Sequence, residues 1–119
     1  MKMYILIKDD VPNGFAVLAA AHASLACYLK FNPPPAACGF PTGDCTSLSG
    51  GIDPVFREWL NGKFYKVVCR VNNSEFENAK SVEDAIVLTE SALDNKEVAI
   101  AFKPREEWPK MFKFLKLWK

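Results

Sequence analysis

From Lys2 to Lys8 the chain reads Lys-Met-Tyr-Ile-Leu-Ile-Lys, five consecutive apolar residues with a charge at each end. An apolar run of this length without alternation reads as a strand buried on both faces. No strand of that kind can lie on a surface, so the fold that holds it must cover a sheet from above and below. Two further runs, Ala85-Ile-Val-Leu-Thr89 and Val98-Ala-Ile-Ala-Phe102, have the same character, and residues 64–71 carry the aromatic and β-branched content of another strand. The cover comes from the segments between them. Residues 15–30 are rich in Ala and apolar nearly all round, which predicts a helix covered on more than one side. Asp53-Pro54 supplies an N-cap and a first-turn proline for a short helix that stops at Asn61-Gly62. Ser74 and Glu77 have capping-box spacing, and Trp108, Met111, Phe112 and Leu115 recur at helical spacing in a last helix. The order β-α-(α)-β-α-β-β-α predicts an α/β fold on a mainly parallel sheet with helices on both faces, and 119 residues suffice for one domain with one core.

Charge narrows the range of partners. The 15 Lys and Arg against 14 Asp and Glu hide an asymmetry: residues 103–119 hold six cations and two anions, leaving nine cations and twelve anions in residues 1–102. A body at −3 joined to a tail at +4 excludes a broadly basic nucleic-acid surface and places any such contact at the tail. There, Lys110, Lys113 and Lys116 alternate with Phe112, Phe114 and Trp118, a pattern suited to phosphate contact and base stacking. The same pattern fits an amphipathic helix packed on the sheet with its lysines in water. Half the residues are hydrophobic, which excludes a disordered chain. No uninterrupted apolar run approaches the ~20 residues of a membrane span, and Met1 to Ile7 is too short for a secretory core. A cytoplasmic location is the expectation. Cysteine usage agrees with it: Cys27 and Cys69 lie in apolar runs, and Cys38 and Cys45, separated by six residues, form no metal signature with the single His22. The two loop cysteines stand in a Pro/Gly/Ser-rich stretch, 31–52, long enough to suggest a lid or an insertion.

Chemistry-bearing residues cluster around the first turn. Asp9 and Asp10 follow the C-terminal end of the first strand, where open α/β sheets place their sites, although such a pair also suits a solvated turn. Gly14 reads first as a turn residue with unusual φ and second as a close-approach point at a helix N-terminus. His22 falls in an apolar helical stripe with Leu18 and Leu25, which favours a core histidine over a general base. No second histidine serves Ser24, Thr46, Ser47 or Ser49, so a Ser-His-acid triad is not expected.

These pieces together resemble the type-2 peptidyl-tRNA hydrolase superfamily. The matching parts are the opening strand, the acidic turn ending in Asp10, Gly14 leading into Ala20-Ala21-His22-Ala23, the short helix Phe56-Arg-Glu-Trp-Leu60, the strand Lys66-Val-Val-Cys-Arg70 and the basic aromatic ending. The ending is closest to a divergent, peptidyl-tRNA hydrolase-domain-containing branch. The resemblance implies a three-layer α/β/α sandwich on a four-stranded mixed sheet. It also implies cofactor-free hydrolysis of the ester joining a peptide to the tRNA 3′ end, contact with tRNA through the basic tail, no membrane, and a homodimer as one possible assembly. The family's motif is altered here. Its helix-opening Lys falls on Phe15, its Gln on Ala19 and a second turn Lys on Asn13, while its Asp-Ala-Gly falls on Ser91-Ala92-Leu93. Its Pro-Gly-Thr has no counterpart near Lys96-Glu97. Catalysis would therefore rest on a compensating set, with Asp10, Glu90 and His22 as catalytic groups and Lys8, Asn13, Gly14, Ser91 and Lys96 as substrate-binding groups. The alternative is a non-catalytic tRNA- or ligand-binding member, or a homodimeric interaction module.

Overall fold

The computed structural model describes residues 1–33 and 52–118. Residues 34–51, with Cys38, Cys45 and most of the 31–52 stretch, lie outside the described residues, as does Lys119. In chain order the elements are β1 (Lys2–Lys8), α1 (Asn13–Phe31), α2 (Pro54–Asn61), β2 (Tyr65–Val71), α3 (Asn73–Ala79), β3 (Ala85–Glu90), β4 (Lys96–Phe102) and β5 (Lys116–Leu117). Short 3-10 turns occupy Ser91–Leu93 and Lys110–Phe114.

One mixed sheet has the order β3-β4-β1-β2-β5. Strand β1 lies at its centre, parallel to β2 from Lys2 opposite Tyr65 to Lys8 opposite Val71, and antiparallel to β4. Its apolar run is covered as its composition requires. Met3, Ile5 and Ile7 pack with Ala16, Ala19, Ala23 and Cys27 of α1 and Phe56 and Trp59 of α2. Tyr4 and Leu6, which point the other way, pack with Phe76 and Ala79 of α3, Phe102 and Phe112.

The α/β class holds, but the sheet differs from expectation. It has five strands, and only the β1–β2 pairing is parallel; β1–β4, β3–β4 and β2–β5 are antiparallel. The connection between β3 and β4 explains one of these. It is too short for a crossover, and Asp94 and Asn95 reverse the chain with φ of 57° and 59°, a left-handed conformation that Asp and Asn tolerate better than most residues. The fifth strand comes from the tail. Trp108, Met111, Phe112 and Leu115 do pack on the sheet face, but from a 3-10 turn rather than a helix, and Lys116–Leu117 then pairs with β2. Pro109 precedes that turn and Leu115 is already extended, so too few residues remain for a stable helix.

Helix starts divide the same way. Asp53 caps α2 as expected, its carboxylate accepting from the Val55 and Phe56 N–H groups at 2.8 and 3.4 Å. The capping box of α3 sits two residues earlier than Ser74 and Glu77. The Asn72 side chain accepts from the Glu75 N–H at 2.8 Å, and Glu75 accepts from the Asn72 N–H at 2.9 Å. Both spacings occur in the sequence, but Asn72 follows the last β2 residue directly, so the helix starts as soon as the strand ends. Asn72→Ala is expected to cost about 1 kcal/mol in a urea titration, whereas Ser74→Ala should stay within roughly 0.5 kcal/mol of wild type.

Among the described residues, helix α1 is covered on one side only. Ala16, Ala19, Ala23 and Cys27 are buried, while Val17, Leu18, Leu25 and Leu29 are exposed. Its 19 residues also make it long and apolar enough, by length and composition, to cross a membrane. In the fold it lies along the sheet with its small-residue stripe packed against β1, β3 and β4.

Candidate functional site

Strands β1 and β3 end, and β4 begins, at the same end of the sheet. The turn after β1 is anchored there by the Asp9 N–H, which donates to the Val71 carbonyl at 2.8 Å. Antiparallel pairing of β4 with β1 brings Lys96 to Asp10 across 86 residues of sequence, and the Lys96 ammonium donates to Asp10 Oδ2 at 2.6 Å. This hydrogen bond is the main reason the Asp10 carboxyl sits below its usual range; slight desolvation opposes it, and the charges of Lys96 and Lys8 assist. Asp10 is thus an ionised, oriented carboxylate at neutral pH, and Lys96 is a cation held at a defined point.

The head of α1 adjoins this pair. Pro12 precedes Asn13 and Gly14, no side chain caps the first turn, and no acid lies within it, so the positive end of the helix is not offset locally. Gly14 has ordinary helical φ and a Cβ there would meet nothing within 4 Å, so neither unusual φ nor close approach accounts for it. Phe15, the next residue, turns inward and packs against the core.

Glu90 closes β3 opposite Lys96, and its carboxylate accepts from the Ala92 N–H at 3.3 Å. Ser91 opens the following 3-10 turn and is exposed. His22 is also exposed, correcting the core reading: the neighbouring stripe Ala16, Ala19, Ala23 and Cys27 is the one buried on the sheet. It lines a shallow cavity of about 250 Å³ together with Leu25, Leu29, Leu88, Val98 and Glu90. Glu90 therefore stands between the Asp10–Lys96 pair and an apolar cavity. Lys8 belongs elsewhere. Strand alternation sends it to the α3 side, where its ammonium lies 4.6 Å from the centre of the Phe76 ring.

Of the eight residues singled out from sequence, Asp10 and Lys96 are in contact, Glu90 pairs with Lys96 in the sheet, Asn13, Gly14 and Ser91 border the same end, and His22 shares a cavity with Glu90. Only Lys8 is directed away. Sequence reasoning missed Leu25, Leu29 and Leu88 as cavity walls and Arg70 as a companion of the tail. The pairing of β5 with β2 sets Lys116 opposite Arg70, near the end of β2 closest to the first turn, and the Arg70 guanidinium stacks 3.9 Å from the Trp118 ring centre. The Leu18-His22-Leu25-Leu29 spacing was the available signal for the cavity; nothing local indicated which strand the tail would join.

Another cavity, about 460 Å³, lies by the opposite end of β1. Glu106 and Glu107 share it with Lys2 and Lys113, so it offers an anion no uniform field. Among the described residues no group of three His, Cys, Asp or Glu side chains is placed to hold a metal ion. No family model matches the chain, and no curated protein matches it.

Proposed function

We propose that this chain is a divergent peptidyl-tRNA hydrolase-like protein, acting on the ester of peptidyl-tRNA or a related acyl-tRNA at the end of the sheet shared by Asp10, Glu90 and Lys96. The observation that carries the reading is the 2.6 Å Lys96–Asp10 contact at the uncapped head of α1. An ester carbonyl seated there develops negative charge as water attacks, and an ammonium with nearby backbone N–H groups stabilises that oxyanion. Asp10 orients Lys96 and is too acidic to be a strong base. Glu90, at the cavity rim, takes the proton of the attacking water. Collapse of the tetrahedral intermediate breaks the ester bond, and the released 3′ oxygen takes up a proton. The cavity walled by Leu25, Leu29 and Leu88 suits an apolar acyl side chain, and Arg70 with Lys116 suits phosphates. This assignment extends the three-layer sandwich and cytoplasmic setting that the resemblance implies.

Incubation with an N-blocked aminoacyl-tRNA tests it. Cleavage above the uncatalysed rate is expected, with Lys96→Ala lowering kcat roughly 10²-fold or more and Glu90→Gln giving a comparable loss. A second reading is supported by Phe15, whose inward side chain replaces the family's lysine: the chain binds tRNA without cleaving it. No cleavage, with tRNA affinity that falls steeply as salt rises, selects that reading. Absence of both results overturns the two together.

A further inference from the structure

We infer that the cavity between α1 and α2, beside the start of β2, is a binding site for a small aromatic carboxylate, its ring seated against Trp59 and Phe64 and its carboxylate accepting from the Lys66 ammonium. The site lies apart from the Asp10–Lys96 pair and does not rest on the acyl-tRNA reading. About 270 Å³ in volume, it is walled by Leu25, Tyr28, Trp59, Leu60, Phe64 and Lys66. An apolar cavity of about 150 Å³ already holds a benzene ring, so this one has room for a ring with a short side chain. The His22 cavity lies on the other flank of α1, against Leu88 and Val98, with Leu25 as the divider. An occupant here therefore leaves that cavity open.

Lys66 decides the charge of the occupant. The Trp59 Nε1–H donates to the Tyr65 carbonyl at 2.8 Å, and the hydroxyl of Ser24, on the cavity wall, donates to the Ala21 carbonyl at 3.0 Å. Both donors are thus already committed. Strand alternation puts Lys66 on the same face as Val68, towards α1 and α2. Its ammonium lies 3.1 Å from the centre of the Phe64 ring and 5.1 Å from that of Trp59, and among the described residues no carboxylate pairs with it. Burial holds this ammonium below its ordinary value of 10.5, and no acid offsets that. A ligand carrying one negative charge supplies the missing partner. A single compact ammonium matches a carboxylate, whereas a phosphate takes several donors.

Phe64 supplies an independent observation. Its φ is 58°, in the left-handed region that is costly for a bulky side chain; the other non-glycine residues there, among those described, are Asp84, Asp94 and Asn95. Gly or Asn would make the turn between α2 and β2 with less strain, so the turn does not account for a phenylalanine. What this conformation achieves is position. The ring is held 4.5 Å from that of Trp59, tilted by 42°, while Phe64 remains 45% exposed. Backbone strain of this kind collects at ligand clamps. With Tyr28, Trp59 and Phe64 all among the walls, a planar ring is favoured over an alkyl chain, because offset and edge-on ring pairs gain more than their buried area.

Titration of the full chain with 3-phenylpropionate, its neutral amide and hexanoate, followed through the indole N–H signals in NMR, is the test. The three tryptophans give three such signals, and Trp59→Phe identifies the one that belongs to the cavity. That signal is expected to move on adding 3-phenylpropionate, with a Kd of about 1 mM or below, while those of Trp108 and Trp118 stay in place. The acid should bind about tenfold or more tighter than the amide, and tighter than hexanoate. Lys66→Met, which keeps an apolar stem in place, should abolish the preference for the acid and leave the affinity for the amide within about twofold. Phe64→Gly, which accepts the left-handed φ but removes the wall, should weaken both aromatic ligands about tenfold or more. A Trp59 signal that does not move at about 10 mM acid overturns the proposal, whatever else proves to fill the cavity. So does a preference for the acid that survives Lys66→Met, or hexanoate binding as tightly as 3-phenylpropionate.

Discussion

Phe102→Ala is expected to destabilise the protein by about 3–5 kcal/mol, a large part of the roughly 5–15 kcal/mol typical of a domain. Phe102 is the last residue of β4 and is completely buried. Its ring lies 5.2 Å from that of Phe112 and 5.8 Å from that of Trp108, both edge-on, and Tyr4 meets the same two rings at 5.0 and 4.7 Å. These four rings hold the C-terminal segment against the sheet. Met111 and Leu115 pack on the same face, and Lys116–Leu117 adds a short pairing with β2. Truncation at Phe102 therefore opens a cavity and also removes the support on which Trp108 and Phe112 rest. Amide exchange over 108–118 should accelerate more than over β1, and the midpoint of thermal unfolding should fall by at least about 10 °C. Phe102→Leu, which keeps much of the volume, should cost less than half as much. Equal losses in the two variants would mean that ring geometry, and not volume, controls the site.

For Asp53→Ala the expected loss is about 2–4 kcal/mol, combining the cap with an abandoned, mostly buried cation. One carboxylate oxygen caps α2, while the other accepts from the Lys103 ammonium at 2.8 Å, where both side chains are 20% exposed. The Asp53 N–H donates to the Asn32 side chain at 2.5 Å, so a single residue joins the end of α1, the start of α2 and the end of β4. Burial pushes its carboxyl upward, but the Lys103 hydrogen bond and the Val55 and Phe56 N–H groups together outweigh it and hold it below the ordinary value of 3.8. A carboxyl depressed by folding stabilises the native state above its unfolded pKa, and that contribution is lost as pH falls through the folded value. Urea midpoints of wild type and Asp53→Asn, measured between about pH 6 and 2, should be separated at the upper end and converge at the lower end. Asn retains the cap, so its loss at pH 6 should be smaller than that of Ala. A pH-independent gap between the curves would assign the effect to packing instead.

Legibility differs from residue to residue for physical reasons. Asp53-Pro54 was readable because a cap and its helix lie within four residues. Asn72 and Ser74 each had an acid three positions on, so the choice between two adequate boxes depended on where β2 stopped. His22 shows the limit of periodicity. A stripe of Leu18, His22 and Leu25 reveals a helix face but is silent on whether that face is covered, and the neighbouring stripe of small residues took the sheet instead. Gly14 was read as a conformational requirement, yet it has ordinary helical geometry. Within the site, Asp10 stood out from its position after a strand end and Glu90 and Lys96 only as replacements for missing family residues, and their mutual contacts were not legible, because those depend on which strands pair.

By itself the sequence determined that β1 must be covered on both faces, that strands and helices would alternate, that α2 would begin at Asp53, and that positive charge would collect at the tail. Each of these follows from interactions within a few residues, or from burial, which apolar composition encodes directly. Only the tertiary structure decided that the sheet would be chiefly antiparallel, that the tail would become a fifth strand beside β2, that Lys96 would meet Asp10, and that the leucines of α1 would face outward. Backbone hydrogen bonds between strands are nearly blind to side-chain identity, so partner and direction are settled by connection lengths and by competition among faces for the same core.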